Sequence, residues 1–150
     1  MIEGVVLREL KKNVDDRGYL MEILRNDWAD VFKRFGQAYV SLNYPGVIRA
    51  WHYHQKQSDV FVCLAGMIKV PLYDAREGSA TKGRIDEHII GDHRAVAILI
   101  PPGVYHGYQT IGVEPSLLIN FPTELYDGGD EHRVPHDTPE IPYRWEISVR

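Results

Sequence analysis

Apolar and polar residues alternate in short stretches along most of the chain, and glycine or proline separates one stretch from the next. A strand with one buried face alternates with a period of two, and turn-forming residues mark its ends. From Gln37 onward the pattern therefore predicts a series of strands, at 38–43, 47–54, 59–64, 67–73, 85–90, 95–100, 107–111 and 116–121. Many short strands at regular spacing are typical of an all-β sandwich or barrel.

The N-terminal part of the chain predicts two further strands and one short helix. The strands fall at 4–11 and 19–25, where apolar and polar residues again alternate. The helix lies between Asn26 and Gly36, residue types that often begin and end helices. Its apolar residues recur at the spacing of one helix face, at Trp28, Val31, Phe32 and Phe35.

Length, composition and charge exclude several classes of protein. A chain of 150 residues is about one domain, so we expect a single domain over 1–150. The net charge of -4 provides no basic footprint for nucleic acid or anionic lipid, so neither is expected as a partner. Cys63 is the only cysteine, which leaves no internal disulfide.

The first residues and the hydropathy of the chain bear on its location. Residues 1–4 lack the positive charge with which a signal peptide begins, and no apolar block follows them. No apolar run reaches the length that spans a membrane. We therefore expect a cytoplasmic protein with no membrane partner.

Candidate chemistry is concentrated between Gly46 and Gly66. His52 and His54 are two residues apart in a predicted strand, so their imidazoles project from the same face. A polar turn follows, and Asp59 begins the next strand, which returns its carboxylate beside the two rings. This spacing resembles the first cupin motif, with Asp59 where the pattern usually has glutamate.

A later stretch adds to the resemblance to the cupins. Pro101, Gly103 and His106 match the Pro-x-Gly-x2-His pattern of the second cupin motif, although Thr110 stands where asparagine is usual. The cupin fold is a double-stranded β-helix, or jelly roll. The resemblance therefore implies a single all-β cupin domain, to which the pattern above adds one short helix near the N-terminus.

The convergent residues support two kinds of chemistry. Two histidines, a carboxylate and a third histidine form a ligand set for a divalent metal such as zinc, iron or manganese, made by His52, His54, Asp59 and His106. Without a metal, a histidine suits the removal of a proton beside a ketone, because its ordinary pKa lies near neutral pH, and either His52 or His54 is a candidate for this base. The residues alone leave both interpretations open.

Further stretches resemble the dTDP-4-dehydrorhamnose 3,5-epimerases. They lie at 16–22, 47–53, 100–108 and 123–126, and the resemblance extends over residues 14–145. Such enzymes are homodimeric, metal-free cupins that invert centres beside the 4-keto group of a nucleotide-linked deoxysugar. The resemblance therefore implies an epimerase of a dTDP-linked 4-keto-6-deoxysugar, which requires no cofactor and forms a homodimer by exchange of edge strands.

The resemblance also implies roles for particular residues. Arg17 matches an arginine that helps to bind the nucleotide, and Arg49 matches a substrate-binding arginine. His52 matches the catalytic base, and His106 matches a histidine of the substrate pocket. Because Arg49 lies three residues before His52, an ideal strand would turn it to the opposite face, and a bulge or a dimer edge has to bring it in.

The chain also departs from the family pattern. Asp59 stands where a lysine is expected to stabilise the enolate, and we expect it to orient the base together with His54. Asn120 stands near the position of the catalytic tyrosine and is counted among the substrate contacts. Tyr108 and Tyr126 are the candidates for returning a proton, and Tyr126 is preferred because its block matches the family.

These departures favour epimerisation at one centre, or ketoisomerisation, over full 3,5-epimerisation. The stretches 52–54 and 62–66 are similar to the nucleotide-sugar 3,4-ketoisomerases, which also are cupins. A non-enzymatic alternative is a metal-binding or sugar-binding cupin that keeps the pocket without the chemistry. A third alternative is a metal-dependent enzyme that acts on another small molecule.

Tyr39 lies in the predicted strand at 38–43, and we interpret it as a residue that builds the sheet.

Overall fold

The computed structural model describes residues 1–146. Within them the regular structure is entirely β, in two five-stranded sheets and one two-stranded hairpin. None of the described residues forms a helix of the length and hydropathy that a membrane crossing requires. The strands are β1 Val6–Glu9, β2 Asn13–Asp15, β3 Gly18–Leu20, β4 Tyr39–Asn43, β5 Ile48–Tyr53, β6 Asp59–Ala65, β7 Met67–Asp74, β8 Ile85–Gly91, β9 Val96–Ile100, β10 Val104–Ile111, β11 Ser116–Asn120 and β12 His132–Arg133.

The two large sheets are antiparallel throughout, and the chain passes back and forth between them. The first sheet has the order β1-β9-β6-β11-β4, and the second has the order β12-β5-β10-β7-β8. The hairpin of β2 and β3 stands apart from both. Neither sheet closes on itself, so β4 remains an edge strand of the first sheet and β8 of the second. The all-β prediction is therefore confirmed.

Strand β6 shows how the core is built on both faces of the first sheet. Phe61 and Cys63 face the inner core, which they share with residues of the second sheet. Val60 and Val62 alternate with them and face outward, where Val31 and other residues of the N-terminal segment cover them. Burial of an apolar side chain of this size contributes about 1.5–3 kcal/mol. Because both faces are covered, the strand is a continuous apolar run.

The outer face of the second sheet is covered by the C-terminal segment. Trp51 of β5 is 1% exposed and packs against Ile141 and Trp145. Lys69 of β7 donates hydrogen bonds to the carbonyl oxygens of Trp145 and Glu146, at 2.7 and 2.8 Å. These contacts hold the segment against the strand that carries His52.

The predicted N-terminal helix is wrong. Residues 26–31 form only turns, in which the N–H of Val31 and of Phe32 donates to the carbonyl of Trp28. One isolated helical turn is unfavourable because nucleation fixes several residues for a single hydrogen bond. Val31 is fully buried against the first sheet while Phe35 is 62% exposed. The apolar spacing therefore reflects packing on a sheet surface and not one helix face.

Several strands also differ from the predicted ones. The polar stretch between the first two predicted strands contributes β2, which pairs with a β3 that ends at Leu20 instead of continuing to residue 25. Strand β10 begins at Val104, three residues earlier than predicted, and so includes His106. Strand β12 was not predicted, because a pair of residues is too short to show alternation.

Candidate active site

Four side chains from three parts of the fold meet between the two sheets. His52 lies near the end of β5, His54 just beyond it, Asp59 at the start of β6 and His106 in β10. One ring nitrogen or carboxylate oxygen of each lies within 4.8 Å of those of the others. The structure thus brings together all four residues that the cupin-like spacing singles out.

The strand pairings explain this convergence. His106 is the register partner of His52 in the antiparallel pair of β10 and β5, and their ring centroids are 4.1 Å apart. Asp59 belongs to the opposite sheet, where its register partner is Ile100 of β9. The carboxylate therefore approaches the imidazoles across the interior.

The carboxylate of Asp59 is buried, with 1% of the residue exposed, and fully hydrogen-bonded. Its Oδ1 accepts from Nε2 of Gln57 at 2.9 Å and from Nδ2 of Asn120 at 2.8 Å. Its Oδ2 lies 3.1 Å from Nε2 of His106 and 3.5 Å from Nε2 of His54. Burial by itself raises the pKa of Asp59, but the bonds from His106 and Asn120 outweigh it and lower the pKa to about 2. The group is therefore a carboxylate at neutral pH.

The three imidazoles share one hydrogen-bonding arrangement. Each Nδ1 faces a backbone carbonyl: His52 that of Ala50 at 3.3 Å, His54 that of Asp130 at 2.8 Å, and His106 that of Val104 at 2.9 Å. A carbonyl oxygen only accepts, so each Nδ1 carries a proton, and Nε2 of each ring is the position that binds either a further proton, which it donates towards Asp59, or a metal ion. The centre of the cluster therefore favours a cation, either a proton or a metal ion.

His52 is the member of the cluster that reaches an open cavity. The cavity has a volume of about 430 Å³ and is lined by Tyr39, Ser41, Ile48, Arg49, Ala50, His52, Phe61, Tyr108, Leu118, Glu131 and Arg133. That volume lies within the range of small-molecule sites. Burial, followed by the neighbouring His106, lowers the pKa of His52 to about 3. Its imidazole is therefore neutral and available as a base.

A β-bulge places Arg49 on the cavity side. His106 pairs with His52 and Tyr108 pairs with Arg49, so the one residue between them on β10 lies opposite two residues of β5. The extra residue reverses the alternation and turns Arg49 to the same face as His52. At the bulge, a Cβ on Gly107 would lie 2.6 Å from the carbonyl oxygen of Arg49. A glycine is therefore required where the two backbones approach.

The guanidinium of Arg49 is oriented by its neighbours. Its Nε donates to Oδ1 of Asn43 at 2.6 Å, and Nδ2 of Asn43 donates to the hydroxyl of Tyr108 at 2.9 Å. This arrangement leaves the terminal nitrogens of Arg49 without a hydrogen-bond partner among residues 1–146. The fixed positive charge therefore borders the cavity beside the neutral imidazole.

Two predicted site residues lie elsewhere. Tyr126 is 73% exposed and lines a separate groove with Lys56 and Asp127, because the loop after β11 runs outward. Arg17 lies at the tip of the exposed hairpin, where its guanidinium pairs with Asp15 at 2.6 Å. The structure does not bring either residue to the cavity of His52. Asn120, in contrast, contacts the cluster directly through Asp59.

Sequence reasoning missed residues that support the cluster. The carboxylate of Asp130 accepts from the backbone N–H groups of Gln55, Lys56 and Gln57 at 2.9, 3.3 and 3.2 Å, which fixes the turn between His54 and Asp59. It belongs to a loop far along the chain, and no local pattern links it to that turn. Tyr39 belongs to a strand, as the sequence predicts, and in addition it lines the cavity. Its inward position was readable from the alternation of its predicted strand.

Comparison with known proteins adds independent information. Residues 1–150 match the family described as dTDP-4-dehydrorhamnose 3,5-epimerase. The chain is 47% identical to the probable low-salt glycan biosynthesis epimerase Agl13 of Haloferax volcanii, over 99% of this chain and 97% of that protein. It is 43% identical to the spore coat polysaccharide biosynthesis protein SpsL of Bacillus subtilis, over 100% of both. The crystal structure of a dTDP sugar isomerase from Desulfovibrio desulfuricans superposes with a TM-score of 0.91 and 34% identity, over 96% of this chain and 92% of that one.

Proposed function

Since this chain belongs to the dTDP-4-dehydrorhamnose 3,5-epimerase family, we propose that it is an epimerase of a dTDP-linked 4-keto-6-deoxysugar in the synthesis of a glycan or polysaccharide. The match over the full chain supports the reaction class, and the names of the similar proteins support the pathway class. Epimerisation at a single centre is the finer proposal, because this chain lacks the family's lysine and tyrosine at Asp59 and Asn120.

The observation that carries the proposal is a neutral imidazole beside a fixed positive charge in one cavity. His52 accepts the proton on the carbon next to the ketone through Nε2, and the electron pair of that C–H bond moves onto the ketone oxygen. Arg49 stabilises the negative oxygen of the resulting enolate, in place of the lysine. The proton is then returned to the opposite face of the carbon.

The supporting residues act on His52 without touching the substrate. Asp59 is 1% exposed and therefore meets the substrate only through its neighbours. Its negative charge favours the imidazolium that His52 becomes after it takes the proton. His54 and His106 surround the same carboxylate and can share that proton.

The proposal is tested by incubating the protein with dTDP-4-keto-6-deoxyglucose in deuterated water and following the sugar by NMR. Deuterium at C3 or C5 with inversion is the expected result and shows which centre reacts. Transfer of the carbonyl from C4 to C3 would assign the chain to the ketoisomerase chemistry instead. Absence of both exchange and isomerisation would favour a sugar-binding module.

A metal-dependent form of the site is the second candidate. His52, His54, Asp59 and His106 fit a divalent cation, since three ring nitrogens and a carboxylate oxygen lie within 4.8 Å of one another and the backbone carbonyls fix the tautomers. When bound there, zinc, iron or manganese would polarise the substrate ketone. Elemental analysis of protein purified without added metal tests this form. One equivalent of bound metal, with exchange lost on chelation, would show that His52 is a metal ligand and not the base.

The strand order supports assignment of the domain to the cupins. In the first sheet β4, β11, β6 and β9 are neighbours, and in the second sheet β5, β10, β7 and β8 are neighbours. Eight successive strands that pair in this manner form a double-stranded β-helix. We assign residues 1–150 to one such domain. A cytoplasmic location stays a prediction of the sequence.

A homodimer is the assembly we propose. The edge strand β4 exposes Val40 and Leu42, at 60% and 57%, and the separate hairpin exposes Val14 and Leu20, at 73% and 66%. An unpaired edge with apolar side chains is a site for pairing with another strand. A second copy of the chain would cover these residues by exchanging edge strands. Light scattering on the eluting protein measures the mass that tests this assembly.

A further inference from the structure

Tyr39 faces His52 across the cavity. It begins β4 in the first sheet, whereas His52 belongs to β5 in the second, and both residues line the cavity. A planar enolate between the two sheets would therefore present one face to the imidazole and the other to the phenol. Inversion at a carbon requires this arrangement, because the proton leaves from one face and returns to the other.

The hydroxyl of Tyr39 is held in place by the residue beside it. Asn120 is the register partner of Tyr39, and its Nδ2 donates to the hydroxyl oxygen at 2.9 Å and to Oδ1 of Asp59 at 2.8 Å. Since the oxygen accepts from Asn120, its own proton is free to be donated elsewhere. Burial, only partly offset by that bond, raises the pKa of Tyr39. The phenol therefore keeps its proton at neutral pH.

The other tyrosines are placed less favourably. Tyr108 also lines the cavity, but it lies on β10, in the same sheet as His52, and is 4% exposed. Tyr126 lines a different groove. Among the described residues, Tyr39 is the tyrosine that enters the cavity from the sheet opposite to the base.

We propose that Tyr39 is the catalytic acid that returns a proton to the face of the enolate opposite to His52. This role rests on the proposed epimerase function. His52 takes the C–H proton, and the electron pair resides on the ketone oxygen. As the carbonyl re-forms, the carbon takes the proton of the Tyr39 hydroxyl from the other face. The phenolate then takes a proton from water, which reaches it because Tyr39 is 47% exposed, and His52 releases its proton to the water of the cavity, so that both groups are restored.

The test is the variant Tyr39→Phe with dTDP-4-keto-6-deoxyglucose in deuterated water. The ring is retained, so the sheet packing is preserved, and only the proton donor is removed. We expect inverted product to form about 100-fold more slowly, the lower end of the effect of one general acid. Deuterium exchange with retention should continue within a few-fold of wild type, because His52 can return deuterium to the face from which it took the proton.

Tyr44→Phe is the matched control, since Tyr44 is 69% exposed and does not line the cavity. It should invert the sugar as wild type does. The role of Tyr39 is refuted if Tyr39→Phe inverts the sugar at the wild-type rate. It is refuted equally if the variant melts as wild type and binds dTDP normally but loses exchange together with inversion. If the wild type itself neither exchanges nor inverts the sugar, the proposed epimerase function is refuted. This outcome differs from refutation of the role of Tyr39, in which the wild type is active.

Discussion

Replacement of Gly107 by alanine tests whether the bulge between β5 and β10 organises the site. The added Cβ would lie 2.6 Å from the carbonyl oxygen of Arg49, 2.9 Å from the carbonyl carbon of Ala50 and 3.0 Å from the ring of Trp145. Two of these atoms belong to the backbone, so rotation of a side chain does not relieve the overlap. Strand β5 must move away from β10.

The expected cost follows from this overlap. Forcing an extra methyl group into a packed interior typically costs about 1–3 kcal/mol. For a protein of this size each kcal/mol lowers the melting temperature by about 2–4 °C, so we expect a decrease of roughly 2 to 12 °C. The shift also separates Arg49 from the substrate oxygen. A displacement of ~1 Å is enough to cost about 100-fold in kcat/KM.

Differential scanning calorimetry and the NMR assay measure the two effects. Gly128→Ala is the matched control, because its nearest atom would be the hydroxyl of Tyr126 at 3.4 Å, an ordinary contact. The control should melt and react as wild type does. If Gly107→Ala retains wild-type stability and kcat/KM, the bulge is not what positions Arg49. If only stability falls, the bulge is structural and its catalytic interpretation is wrong.

Three further predictions address charge, the turn and assembly. Burial lowers the pKa of His52 to about 3, so the folded protein resists the protonation that the unfolded chain accepts below pH 6.5. Between pH 6.5 and pH 5, urea unfolding should therefore show a loss of stability about 1.6 kcal/mol larger in wild type than in His52→Asn, and equal losses would contradict it. Asp130→Ala leaves three backbone N–H groups unsatisfied and should lower the free energy of unfolding by about 1–3 kcal/mol, measured with urea; an unchanged value would show that the turn does not need it. Leu42→Lys should yield monomers by light scattering, while Leu125→Lys, at a leucine that is also exposed but lies outside β4, should not; dimers in both would exclude β4 as the interface.

The sequence predicted the cluster of three histidines and Asp59 better than the residues that surround the cavity. His52, His54 and Asp59 follow a period of two and a short turn, which are local constraints that survive in any antiparallel sheet. His106 was identified through its motif, and its strand pairing with His52 is a consequence of the same fold. The family inferred from these and neighbouring stretches is confirmed by the match over residues 1–150.

Which residues surround the cavity depends on long-range geometry, and no local sequence pattern predicts that geometry. Arg49 reaches the cavity only because a bulge forms opposite Gly107, and alternation alone turns it away. Tyr126 and Arg17 were chosen for the blocks they belong to, whereas their positions depend on an outward loop and a separate hairpin. Their predicted roles stay predictions. Either residue would reach a cavity of this kind only in a second copy of the chain that packs against the first.

The false helix has a related cause. Trp28 and Val31 recur at helical spacing, but they are held by the outer face of the first sheet. The sheet offers a continuous apolar surface, so a segment with a single turn buries these side chains without forming a helix. The spacing of apolar residues indicates which residues are buried, but it does not determine whether they pack from a helix or from a turn on a sheet.

The central claim is that His52 removes the proton beside the ketone. Its most direct test is the rate at which deuterium enters dTDP-4-keto-6-deoxyglucose with His52→Asn, compared with His93→Asn at an exposed histidine remote from the cavity. We expect His52→Asn to lower the exchange rate at least about 100-fold and His93→Asn to leave it unchanged. Wild-type exchange in a folded His52→Asn protein would contradict the assignment of the base.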